Sequence, residues 1–129
     1  MDKKRILIVD DDMDTRLVLE KGLTIEGYSV IAAYNGNNAL SITRSKYFDL
    51  IILDRVLGDM PGEEVAAKLR EDPKTKNIPV IFLSALFSKE DEVENGYVFG
   101  NKKMFAKPYN MEKLLTAIEK LLSVSAAKS

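Results

Sequence analysis

The sequence predicts an α/β fold, a doubly wound, five-stranded parallel sheet in which strands and helices alternate. Three observations point there. Three apolar runs, Ile6 to Val9, Leu50 to Leu53 and Val80 to Leu83, carry no polar alternation, the pattern of strands covered by helices on both faces. Stretches with helical spacing separate and follow these runs. Directly after the runs stand aspartates and a serine, and after a weaker strand candidate a lysine, at the strand ends where open parallel sheets bind their ligands.

The elements follow in chain order. After Ile6 to Val9, the residues Val18, Leu19, Gly22, Leu23 and Ile25 mark a helix that ends at a Gly27-Tyr28 turn. Tyr28 to Ala33 is a weaker strand candidate, and Ala39, Leu40 and Thr43 space a second helix. Val65, Ala66 and Leu69 space a third, between the runs Leu50 to Leu53 and Val80 to Leu83. A fourth helix is expected within Lys89 to Gly100, intrinsically weak because Gly96 interrupts it and Glu90, Asp91, Glu92 and Glu94 make it acidic. Lys102 to Ala106 is the weakest strand candidate. Met111, Leu114, Leu115, Ile118, Leu121 and Leu122 then form the apolar stripe of a last helix, capped by Asn110. Right-handed crossovers place such helices on both faces of the sheet.

A chain of 129 residues is long enough for one compact domain with a real core and short for two. The domain is expected over residues 1–123, followed by a short polar tail over 124–129. That ending fits a stand-alone protein and a piece of a longer one equally well. The net charge is -1, from 19 basic and 20 acidic side chains, so no general basic field draws in nucleic acid and no nucleic-acid contact is expected. Lys3-Lys4-Arg5 and Lys102-Lys103 read as solvated positions. Cysteine is absent, which removes disulfides, thiolate metal sites and thiol catalysis and is compatible with a reducing cytoplasm. Histidine is absent too, which removes imidazole bases and the triads built on them. The apolar runs are far below the roughly 18 to 20 residues of a membrane span. The first residues lack the longer apolar region of a secretion signal, and a cytoplasmic location without membrane contact is expected.

Chemistry must therefore come from carboxylates, hydroxyls and lysine. Asp10, Asp11 and Asp12 follow the first strand, Asp54 the third, Ser84 the fourth and Lys107 the fifth. Aspartates converging on one sheet edge repel each other unless a cation lies between them. A site of a few carboxylates suits a hard cation, and magnesium better than calcium when waters and a phosphate oxygen complete the shell. Asp10, Asp11 and Asp54 bring three negative charges, which one magnesium ion and Lys107 balance. An ionised carboxylate can attack phosphorus directly, and phosphoryl transfer asks chiefly for positioning and charge neutralisation. Each of these residues alone is equally an ordinary turn or capping residue after a strand. Their coincidence at four strand ends favours the functional reading.

From about Arg5 to Leu122 the sequence resembles the receiver domains of bacterial two-component response regulators. The segments that carry the resemblance are Ile6 to Asp12, Asp49 to Asp54 with Met60-Pro61-Gly62, Pro79 to Ala85, and Ala106 to Tyr109. It implies a flavodoxin-like (βα)5 fold with strand order 2-1-3-4-5. It implies a phosphoacceptor signalling switch rather than an enzyme in the ordinary sense, with a sensor histidine kinase or phosphotransfer protein as donor. Asp54 becomes the phosphoacceptor and Mg2+ the cofactor, held by Asp11, Asp54 and the Val56 carbonyl directly and by Asp10 through water. Ser84 becomes the switch hydroxyl, Lys107 the phosphoryl sensor, and the peptide before Pro108 is implied to be cis. With no histidine in the chain, the donor is external.

The match departs from the family pattern in places. Met104 stands where the family usually has the switch tyrosine or phenylalanine, and methionine is more flexible than either ring. Arg55, Gly58 and Glu63 are unusual at their positions. Residues 89–103 lack the usual approach to the fifth strand, and Tyr97 and Phe99 there read as core or as an exposed partner patch. Three other classes compete. A dehalogenase-type phosphatase needs an acid where Val56 stands. A flavin or nucleotide-binding domain needs a phosphate loop where Asp10, Asp11 and Asp12 would repel it. A non-phosphorylated pseudo-receiver, acting as a protein-binding module, has no use for so costly a charge cluster.

Overall fold

The computed structural model describes the backbone of residues 3–84, 97–99, 102–106 and 110–128, and the side chains of residues 3–83 and 110–123. Strand β1 (Arg5–Val9) leads into α1 (Met13–Ile25), β2 (Ser29–Ala33), α2 (Gly36–Ser45), β3 (Leu50–Leu53) and α3 (Gly62–Glu71). Strand β4 (Val80–Ser84), the short β5 (Tyr97–Phe99), β6 (Lys102–Ala106) and α4 (Met111–Lys128) follow. The sheet order is β2-β1-β3-β4-β6-β5. The first five strands of that order are parallel and reproduce the expected order, β6 being the predicted fifth strand.

One element corrects the expectation. Tyr97–Phe99, inside the segment expected to hold the fourth helix, is a β-strand running antiparallel to β6, so the sheet has six strands rather than five. The paired Phe99 and Lys102 are separated only by Gly100-Asn101. A glycine-containing dipeptide between two short runs is a hairpin signal, and an antiparallel edge strand is a common addition to a parallel sheet. The rest of the expected helix, residues 89–96, lies outside the described residues. Helix α4 runs on to Lys128, through most of the segment expected as a tail.

The unalternating runs resolve into two faces. Leu7, Val9, Ile51, Leu53, Val80 and Phe82 pack with Ala39, Leu40, Val65 and Leu69 of α2 and α3. Ile6, Ile8, Leu50, Ile52, Ile81 and Leu83 pack with Leu19 and Leu23 of α1 and with Leu114, Ile118 and Leu122 of α4. Each strand thus contributes every second residue to each layer, and β3 and all of β1 after Arg5 lie buried at the centre. Helix α1 ends on Gly27 at φ 98, with the Gly27 amide bonded to the Thr24 carbonyl and that of Tyr28 to Leu23. That is the glycine-dependent helix stop the sequence announced. At the other end of the chain, the Asn110 side chain accepts from the Lys113 amide at 3.0 Å, the expected cap of α4. Among the described residues no helix is long and apolar enough to cross a membrane.

Candidate phosphoacceptor and metal site

The site forms where β1 and β3 end side by side. Val9 is aligned with Leu53, so Asp10 and Asp54 emerge from adjacent strands. Their amides anchor to neighbouring strands, Asp54 donating to the Val9 carbonyl at 2.9 Å and Asp10 to that of Ala33 at 3.2 Å. Only 2% of Asp10 and 7% of Asp54 is solvent-exposed, while Asp11 is exposed. One carboxylate oxygen from each of the three lies within 4.8 Å of the others. At that separation each pair of ionised groups repels by about 1 to 3 kcal/mol, depending on the local dielectric. The donor set is all oxygen and anionic, and it fits a hard divalent cation.

Capping and turn roles coexist with this arrangement. Asp10 accepts from the Asp12 amide at 2.9 Å and Asp54 from the Val56 amide at 3.2 Å. Each carboxylate is therefore held by the backbone two residues on, the turn geometry expected of aspartate. That turn fixes its direction at the strand end. Asp12 precedes α1, and the Thr15 hydroxyl donates to it at 2.7 Å. The structure thus brings together Asp10, Asp11 and Asp54, with Val56 half-exposed beside them. Ser84 is the last residue of β4 and is aligned with Ala106 of β6. Met104 is aligned with Phe82. The side chains of Ser84, Met104, Tyr97 and Phe99, and all of Lys107 and the peptide before Pro108, fall outside what is described.

Five residues that the sequence left without a role also shape the site. The Arg16 guanidinium donates to the Asp10 carbonyl at 2.8 Å, tying α1 to the end of β1. Gly62 opens α3 directly against β3's exit, its amide bonded to the Arg55 carbonyl at 2.8 Å. The unusual Arg55 and Glu63 explain each other, since the Arg55 Nε donates to the Glu63 carboxylate at 2.7 Å and the Nη2 of the same guanidinium forms an ion pair with it. Asp59, from the β3–α3 connection, accepts from the amides of Gly36 at 2.9 Å and Asn37 at 2.8 Å. It anchors the start of α2, and the Asn37 amide leads in holding its carboxyl below the usual carboxylate range. A cap supplied from more than twenty residues away leaves no local signal in the sequence.

Comparison with known proteins agrees with this geometry. The sequence profile of the response regulator receiver domain matches residues 6–119. The chain is 36% identical over 118 residues to response regulator ArlR of Staphylococcus aureus, covering 92% of this chain and 52% of that protein. It spans about half the length of the curated relatives it matches. Among solved structures, Vibrio cholerae chemotaxis protein CheY4 superposes with a TM-score of 0.80 at 29% identity, covering 93% of this chain and 99% of that one. Response regulator protein TrrA of Thermotoga maritima, solved in complex with Mg2+-BeF, superposes at 0.75 and 33% identity over 92% of this chain and 98% of its own.

Proposed function

Because the chain belongs to the response regulator receiver domain family, we propose that it is the phosphoacceptor switch of a two-component system. Asp54 takes a phosphoryl group from a phosphohistidine of a sensor histidine kinase or phosphotransfer protein. One observation carries this reading: three carboxylates on two adjacent strand ends, two of them buried, within 4.8 Å of one another. A cluster of like charge at that spacing is unfavourable unless a cation uses it.

In this reading Asp11, Asp54 and the Val56 carbonyl hold Mg2+ directly and Asp10 holds it through water. When bound, the ion supplies the positive charge that offsets the carboxylates and the incoming phosphoryl group. The residues of the chain do the rest. The Asp54 carboxylate forms the new oxygen–phosphorus bond as the nitrogen–phosphorus bond to the donor imidazole breaks. The Lys107 ammonium pairs with a phosphoryl oxygen, and the Ser84 hydroxyl donates a hydrogen bond to another. Met104 follows Ser84, and the surface made by the fourth helix of the family fold, β6 and α4 changes with it. The protein is a regulator that promotes only its own phosphorylation and dephosphorylation. The receiver unit occupies residues 1–123, works in the cytoplasm and touches neither nucleic acid nor membrane.

Beryllofluoride, a phosphoryl mimic, tests the acceptor directly. With magnesium it is expected to shift the amide resonances of residues 9–12 and 54–56 in the wild type and to leave them unmoved in Asp54→Ala. Unmoved resonances in the folded wild type would favour a module that binds partners without phosphorylation.

A further inference from the structure

We propose that a cationic groove on the sheet edge opposite Asp54 binds a small polyphosphate-bearing anion. The groove lies where α2 ends, just before β3 begins, against the connection from α3 to β4. A cavity of about 360 Å³ there is lined by Arg44, Lys46, Tyr47 and Lys74 together with the hydroxyl residues Thr43 and Thr75. A second cavity of about 230 Å³ shares Thr43, Arg44 and Thr75 with it and adds Lys68. The larger volume falls within the range of small-molecule sites.

Charge sets this groove apart. Four cations line it, in a chain whose net charge is -1. Among the described residues none of the four forms an ion pair, and one carboxylate, Asp72, stands in the lining with them. Cations in a helix's last turn complement its dipole, which accounts for Arg44 in α2 and Lys68 in α3. It does not account for Lys74, which comes from the α3–β4 connection. The acid in the lining, Asp72, accepts from the Lys74 amide at 2.9 Å and shapes the loop that presents Lys74. The walls are fixed by the Thr43 hydroxyl donating to Leu40 at 3.0 Å and the Thr75 hydroxyl to Leu69 at 2.6 Å.

An arginine fork and several ammonium groups on one concave surface recognise multiple phosphate oxygens better than a single carboxylate. Tyr47 is 59% exposed at the mouth and offers an aromatic face to a planar group. Inorganic polyphosphate and a nucleoside polyphosphate share the charge chemistry; only the second uses Tyr47.

The test is an NMR titration of the full chain in chelator with pyrophosphate, ATP and citrate. Pyrophosphate or ATP is expected to give saturable amide shifts at residues 43–47 and 74–75 with Kd below about 1 mM. Arg44→Ala combined with Lys74→Ala, both at the surface, is expected to weaken binding about tenfold or more without moving the resonances of residues 54–56. Tighter binding of ATP, reduced to the pyrophosphate level by Tyr47→Ala, identifies a nucleotide; equal binding identifies inorganic polyphosphate. No saturation by about 5 mM, equal affinity for citrate, or indifference to the double variant would overturn the proposal. Acceptor function at Asp54 is read separately and does not bear on it.

Discussion

Asp11→Ala is expected to unfold at higher urea than the wild type when magnesium is chelated, and to lose magnesium binding altogether. The two effects have one cause. Asp11 brings a carboxylate oxygen within 4.8 Å of those of Asp10 and Asp54, and removing it relieves two like-charge contacts. Because Asp11 is exposed, water screens part of that repulsion, and the gain should be about 1 kcal/mol. In magnesium the order reverses, because an ion bound only to the folded state stabilises the wild type by mass action. Urea unfolding with and without magnesium, beside calorimetric titration, measures both. A variant no more stable than wild type in chelator would remove the charge-repulsion argument.

Gly62→Ala is expected to cost about 2 to 3 kcal/mol, the range of a side chain forced into filled space. A Cβ at Gly62 would overlap the Asp54 carbonyl oxygen and lie 3.0 Å from the Arg55 Cα. Both obstacles are backbone, so neither can rotate away. The backbone carrying the acceptor carboxylate would have to move, and phosphorylation is expected to fall along with stability. Gly58→Ala provides the control, since its added Cβ meets nothing within 4 Å. Equal denaturation midpoints for the two variants would show that close approach is not what Gly62 is for.

Much of this molecule was legible in its sequence, and the parts that were not share a physical reason. The runs at Ile6, Leu50 and Val80 announce central strands because both faces of each are buried, and strand order then brings Asp10 next to Asp54. The helix stop at Gly27 and the cap at Asn110 are local devices, readable in place. The edge strand Tyr97–Phe99 is not, because a three-residue strand exists only by pairing with β6, and an acidic stretch before it resembles a weak helix. Arg55 and Glu63 looked anomalous singly and become a compensated pair only when α3 folds back on the exit of β3. Asp59 as the anchor of α2, and Gly62 as the floor beneath Asp54, likewise depend on contacts between separate segments.

The measurement that reaches the central claim most directly is intact mass after incubation with acetyl phosphate. Wild type and Asp54→Ala would be compared with and without magnesium. A gain of about 80 daltons, one phosphoryl group, is expected only for the wild type in magnesium. A folded wild-type protein that gains nothing, or an Asp54→Ala variant that gains equally, would contradict it.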